Sequence, residues 1–158
     1  MIDVRTVTES DLDWVRDLLE KWWGSTRVVS RGRVHQADVL PGFVATSEDE
    51  RVGLATYAVE GDQCEMVTLN SLIEHVGVGI ALMEAVKDAA RAAGCKRLWL
   101  VTTNDNLNAI RFYQRRQFGL VAVHRNAVEE SRKLKPEIPL TGIDDIPLRD
   151  EIELEFHL

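Results

Sequence analysis

Cysteine is scarce in this sequence, and so are long apolar runs and positive charge. Cys64 and Cys95 are its two cysteines, far apart and without metal-ligand spacing. A secreted disulfide scaffold and a cysteine-rich zinc site are thereby excluded, and two buried thiols are expected. His35, His75, His124 and His157 lack ligand spacing as well, so no metal is expected. Apolar runs are as short as "LWLV" at Leu98 to Val101, and Met1 to Arg5 shows neither the basic start nor the apolar block of a signal peptide. A soluble, cytoplasmic protein with no membrane partner is the expectation. With a net charge of -7, no nucleic-acid partner held by bulk positive charge is expected either.

What is present suffices for one packed unit: 158 residues, 45% hydrophobic and 28% charged, read as a single domain over 1–158. Charge is spread unevenly. Lys21, Arg27, Arg31 and Arg33 occur with no acid among them, whereas Asp144 to Glu155 holds six acids and one arginine, Arg149. The basic segment is either an anion contact or solvated surface. The acidic segment favours a cationic guest if it lines a pocket mouth.

Ile2, Val4 and Val7 alternate with polar residues as a first strand does, and Ser10 to Asp13 reads as a helix start. Leu12, Val15, Leu18, Leu19 and Trp22 recur at helical spacing up to a stop at Gly24. Ser25 to Pro41 lacks clear periodicity and reads as a surface loop or short helix able to grip a substrate. Gly42 to Ala45, Val52 to Val59 and Cys64 to Asn70 form an antiparallel meander with turns at "EDER" and "EGDQ". A helix to about Ala93 follows, with Ala81, Leu82, Ala85, Val86, Ala89 and Ala93 as its buried stripe and Gly94 as its cap.

"KRLWLVTT" is a strand buried on both faces, reached by a parallel crossover. Asn106 caps the next helix, Phe118 to His124 is a strand, and the final strand turns Ile152, Leu154, Phe156 and Leu158 inward and Glu151, Glu153, Glu155 and His157 outward. The long 125–149 connection carries Pro136, Pro139 and Pro147 and is a candidate functional loop. These elements make an α/β (α+β) fold: a mixed, mostly antiparallel central sheet of about seven strands flanked by helices. The exposed edge near the last strand permits a homodimer.

Gly77 and Gly79 stand at the mouth of the second helix, where each costs about 1 kcal/mol relative to alanine. Across Val76, Gly77, Val78, Gly79, Ile80 and Ala81, backbone N–H groups lack intrahelical acceptors at the positive end of the helix, and the missing β-carbons let a phosphate approach. No Gly-Lys-Ser/Thr is present for a P-loop, and Leu82 stands where a dinucleotide fingerprint wants Gly or Ala. About thirty residues on, "TNDNLNAIRFYQRRQF" places Asn106, Ala109, Phe112, Tyr113 and Phe118 in the pattern N-x-x-A-x-x-F-Y-x-x-x-(G)-F.

Through this pair of motifs the chain resembles the GCN5-related N-acetyltransferase (GNAT) superfamily, and the element order extends the resemblance over nearly its whole length. The resemblance implies acetyl-CoA as cosubstrate, with a small-molecule or peptide amine as acceptor and direct transfer in a ternary complex. It further implies the Leu69 N–H as donor to the thioester carbonyl, Ser71 as a pantetheine contact, Asn106 in the cofactor motif and Tyr113 as the acid beside the CoA sulfur. Three positions depart from the pattern. Glu74 replaces Gln or Arg, His75 often is Gly, and Gln117 replaces a Gly whose left-handed conformation costs another residue about 1–2 kcal/mol.

Acyl transfer to an amine needs a base for the ammonium and an acid for the thiolate, because their ordinary pKa values lie near ~10.4 and ~8.5. Glu65 is the carboxylate base candidate. On a regular strand it shares a face with Val67 and Leu69, and it is either half buried with a raised pKa or solvated at the strand end; Glu151 and Glu153 are alternatives. Tyr113 is either the acid or a packing residue beside Phe112. Trp22 fits the buried stripe, Trp23 and Tyr57 are candidates for the acceptor pocket, and Ser131 to Pro139 is either a lid or a surface excursion. Two further readings stand beside the enzyme: a CoA-binding regulatory or interaction module without turnover, and a nucleotide-binding domain unrelated to acyl transfer.

Overall fold

The computed structural model describes residues 1–158. Its strands are β1 (Asp3–Thr6), β2 (Arg27–Ser30), β3 (Arg33–Gln36), β4 (Gly42–Ser47), β5 (Glu50–Glu60), β6 (Gln63–Ser71), β7 (Arg97–Thr103), β8 (Gly119–His124) and β9 (Glu151–His157). Its helices are α1 (Leu12–Trp23), α2 (Val78–Ala92), α3 (Leu107–Arg115) and α4 (Ala127–Leu134). Seven strands form one sheet in the order β1-β4-β5-β6-β7-β9-β8, with β2 and β3 as a separate hairpin. Within that sheet only the β6–β7 pair is parallel, as the crossover through α2 requires.

Each face of the sheet has its own core. On one, Leu82, Met83, Val86 and Ala90 of α2 pack on Ala45, Ala55, Cys64, Met66 and Leu98. On the other, Val15, Leu18 and Leu19 of α1 meet Leu54 and Val67, with Val28 and Ala37 from the hairpin region. Both thiols are buried, and burial pushes Cys64 up to about 12.

Four details differ from the sequence pattern. Segment 25–41 is chiefly a β-hairpin: Val28, Val29 and Val34 favour extended backbone, and Arg31 and Gly32 turn it with left-handed φ of 50° and 73°. The α2 stripe is rotated, so that Met83, Lys87 and Ala90 are buried while Ala93 is exposed. At the end of α1, Trp22 is 54% exposed, and its neighbour Trp23 turns inward to donate from Nε1 to Asn70 Oδ1 at 3.0 Å. In β9 the acidic residues are not a solvated face, because the strand lies between β7 and β8. Glu151 is buried, Glu153 pairs with Arg97 and His124, and Glu155 pairs with Arg97.

Asp11 ties β1 to β5. Fully buried, its carboxylate accepts from Arg5 at 2.7 and 2.8 Å, from Arg51 at 2.9 Å and from the Thr8 N–H at 2.8 Å. The Arg5 hydrogen bonds, more than any other partner, hold Asp11 well below the usual carboxylate range. A depressed folded-state pKa gives stability that is present above about pH 4 and lost as pH falls through that value toward the folded one. Asp11→Ala is expected to cost about 2–3 kcal/mol in urea unfolding at pH 7, less than a fully buried pair would, because Arg5 and Arg51 reach solvent. A loss near zero would exclude Asp11 as a structural tie.

Gln117 adopts the left-handed turn at φ 70°, and the Phe118 N–H bonds the Tyr113 carbonyl at 3.1 Å, closing α3. Relief of strain minus the added freedom of the unfolded chain predicts that Gln117→Gly stabilises by about 0.5–1 kcal/mol. Destabilisation on thermal melting would contradict that reading of the turn.

Candidate active site

β6 and β7 pair at three positions, Gln63–Arg97, Cys64–Leu98 and Glu65–Trp99, and then part. A bulge helps to separate them. Thr56 pairs with Thr68 and Tyr57 with Met66, so Val67 is the extra residue. The bulge also breaks the alternation expected from Glu65 through Leu69. Val67 packs toward α1, Leu69 joins Met66 on the α2 side, and Glu65 bonds to the hairpin.

Beyond the last pair lies a cleft of about 600 Å³. Met66, Leu69 and Ser71 line it from β6, Leu100 to Thr102 from β7, and Asn106, Ala109 and Tyr113 from the start and face of α3. Glu74 and the two adjacent tryptophans reach the same cleft. Tyr113 is 8% exposed and stands edge-on to Phe112 and Phe118, with centroids 5.2 and 5.4 Å away. Phe112 and Tyr113 therefore both pack against the core, Tyr113 more deeply. Burial pushes the Tyr113 phenol above its ordinary value, so it keeps its proton at neutral pH.

Glu74 on the cleft lining leads into the α2 start. The first intrahelical bond runs from the Ala81 N–H to the Gly77 carbonyl at 3.0 Å, which leaves the N–H groups of Val78, Gly79 and Ile80 without helical acceptors. Gly77 caps the helix at φ 85°, facing open space where a β-carbon would stand. The backbone of Val76 to Ile80 thus suits an anion, while the Ala81 N–H, also expected there from the sequence, is spent on the helix; Val78 anchors the turn in the core. Gly79 has a different purpose from the one read in the sequence: a β-carbon there would lie 3.2 Å from Phe112 Cζ, so its absence seats α3 against α2. His75, also left-handed at φ 64°, and Glu74 extend into solvent.

Asn106 is engaged in capping, accepting from the Ala109 N–H at 3.2 Å, and the Ser71 hydroxyl donates to the Ile73 carbonyl at 2.5 Å. Glu65 is buried at 4% exposure; Ser30 Oγ donates to it at 2.7 Å and His35 Nε2 lies 3.1 Å away. It is absent from the lining of the Tyr113 cleft and borders a polar groove of about 290 Å³ beside His35 and Trp99.

Beside Glu65, Glu151 has its carboxyl pushed up, mainly by burial and in part by the charge of Glu65. The Arg31 N–H reaches it at 3.3 Å. Glu151 lines a second cavity of about 450 Å³ that shares Trp22 and Trp23 with the cleft. Its burial is invisible in the sequence, where "EIELEFHL" looks like a solvated acidic face. The 125–149 connection closes this cavity. Lys135 donates to the carbonyls of Trp23 at 2.6 Å and Arg27 at 2.8 Å, and Ile138 and Pro139 join the wall. Tyr57 lies elsewhere, stacked on Phe43 on the α2 side, and Asp144 and Asp145 are exposed outside both cavities. No group of three or more His, Cys, Asp or Glu is placed to hold a metal, and no helix is long and apolar enough to cross a membrane.

Solved structures share this architecture. The IAA acetyltransferase of Bacillus cereus ATCC 14579 is 15% identical with a TM-score of 0.74, covering 100% of both chains. A GNAT family acetyltransferase of Elizabethkingia anophelis with acetyl-CoA bound is 16% identical with a TM-score of 0.71, covering 99% of this chain and 98% of its own. At these identities the likeness is one of fold. YdhI and YxbD, uncharacterized proteins of Bacillus subtilis (strain 168), are nearer in sequence. They are 44% identical over 137 residues and 43% identical over 143, spanning 86% and 90% of both chains respectively. A sequence model of the Acetyltransferase (GNAT) family matches residues 8–119, which run from just before α1 through the glycine turn and the Asn106 to Phe118 motif, and the chain belongs to that family.

Proposed function

We propose that the protein is an acetyl-CoA-dependent N-acetyltransferase that acts on a primary amine by direct transfer. The observation that carries this reading is the cleft where β6 and β7 part, walled by a buried, protonated Tyr113 and bordered by Glu74, which leads directly into the α2 start with its unsatisfied N–H groups. The Bacillus cereus and Elizabethkingia anophelis structures support it by fold, the latter having acetyl-CoA bound. The N–H groups from Val76 to Ile80 would hold the pyrophosphate, and Leu69, Ser71 and Asn106, on the cleft lining, would border the pantetheine arm. Bound acetyl-CoA supplies the activated acetyl group, whose C–S bond breaks as the C–N bond to the amine forms.

The protein's part is to move two protons and fix the geometry. The ammonium proton passes to Glu151, which lines the cavity, while Glu65, held by Ser30 and His35 in the neighbouring groove, acts on it through its charge and is the alternative base. Tyr113 gives its hydroxyl proton to the leaving sulfur and recovers one from solvent. A CoA-binding module without turnover is the competing reading, favoured by Glu74 at the cleft.

Release of free thiol from acetyl-CoA in the presence of a panel of primary amines tests the reaction. Tyr113→Phe is expected to lower kcat by about 100-fold while acetyl-CoA affinity is nearly retained. Full turnover would remove Tyr113 from the acid role, and no turnover with any amine would favour the module.

The pH dependence tests the base. Ionised Glu151 is the active form, so kcat/KM should fall as pH drops through its raised pKa, and Glu151→Gln should remove that limb together with most activity. Arg31, His124 and Glu65 also face this carboxyl. A limb that survives Glu151→Gln and vanishes in Glu65→Gln would transfer the role to Glu65.

A further inference from the structure

The 450 Å³ cavity beside the cleft has a polarity that selects its guest. Its walls are chiefly apolar, with the indoles of Trp22 and Trp23 on one side and Val29, Val128, Ile138 and Leu148 around the rest. Most charged groups on its lining are already engaged. Lys135 is spent on two backbone carbonyls. Asp105 accepts from the Ile143 N–H at 2.8 Å and from the Thr103 hydroxyl, and so pins the 142–143 turn. Glu137 is at the exposed rim, where water solvates it.

Glu151 is different. Its side chain is 6% exposed, yet its contacts are long: 3.3 and 3.4 Å from the Arg31 N–H and 3.8 Å from the Arg31 guanidinium. A carboxylate can accept about four hydrogen bonds, and this one is underfilled. Burying it so poorly paired is costly unless a cation completes it.

We propose that the cavity binds a hydrophobic monoamine, an aliphatic or arylalkyl primary ammonium, with its cation on Glu151 and its apolar body between the tryptophans and the 125–149 connection. As an account of the acceptor this rests on the acetyl-transfer reading; as an account of binding it stands on the cavity alone. Such a site disfavours free amino acids, because a carboxylate next to the ammonium would meet Glu151, and the one unspent cation near it, Arg31, is not among the residues lining the cavity. It also rejects polyamines, whose second ammonium would lie against the apolar walls.

Titration calorimetry with four probes tests this, both on the protein alone and with CoA present: 2-phenylethylamine, its uncharged analogue 2-phenylethanol, free phenylalanine and spermidine. The expected result is 2-phenylethylamine tighter than each of the others by about tenfold or more, with that preference lost in Glu151→Gln. Val29→Phe, which fills the cavity without removing the carboxyl, should weaken 2-phenylethylamine similarly without changing acetyl-CoA affinity. Tighter binding of spermidine, equal binding of phenylalanine or 2-phenylethanol, or no binding of 2-phenylethylamine in either state overturns the proposal. The two readings fail separately. Acetyl transfer to other amines with no binding of 2-phenylethylamine sinks the cavity's specificity alone, whereas amine binding without any acetyl-CoA binding sinks the transferase reading and leaves the amine site standing.

Discussion

The parting of β6 from β7 after Glu65 and Trp99 is the constraint on which the rest of the molecule depends. A sheet whose strands stayed paired would have no gap, since every backbone group would be satisfied and the two faces sealed from one another. Here pairing stops after three positions, and the bulge at Val67 turns the next side chains out of register. Leu69 then faces the α2 side and Asn70 the α1 side, where it holds Trp23. The opening thus communicates with both layers, one built around the α2 helix start and the other around buried carboxylates.

Those two layers divide the chemistry by charge. On the α2 side the local field is positive, from unsatisfied N–H groups at a helix start, and suits a phosphate. On the α1 side it is negative, from Glu65 and Glu151 beneath the β2–β3 hairpin, and suits an ammonium. A net charge of -7 and a helix start suited to an anion are therefore compatible, because the donors there are backbone N–H groups rather than lysine and arginine. Tyr113 lies where α3 meets the gap, kept protonated by aromatic neighbours and burial.

Much of this was legible in the sequence because the signals were local. Gly77 at a strand-to-helix junction, Asn106 three residues before Ala109, and the Phe112-Tyr113 pair each carry their meaning within one turn. The rest was set by tertiary packing. Gly79 reads as a phosphate approach, and only the position of Phe112 reveals it as a helix-packing contact. Valines flanking Arg31-Gly32 were a signal for the hairpin, masked by the polar residues around them. Glu151 sits in an alternating strand that looks half solvated, and its burial follows from the placement of β9 inside the sheet, which local periodicity does not encode. The bulge at Val67 has no glycine or proline to mark it.

On the reading proposed above, the backbone at the α2 start and the cleft where β6 and β7 part bind an acyl-CoA. Isothermal titration of the purified protein with acetyl-CoA, with ATP and NAD as controls, tests it most directly. Binding in the micromolar range or tighter is expected for acetyl-CoA alone, abolished by Gly77→Val in a protein that still unfolds cooperatively. Absence of acetyl-CoA binding, or equal binding of ATP, would contradict it.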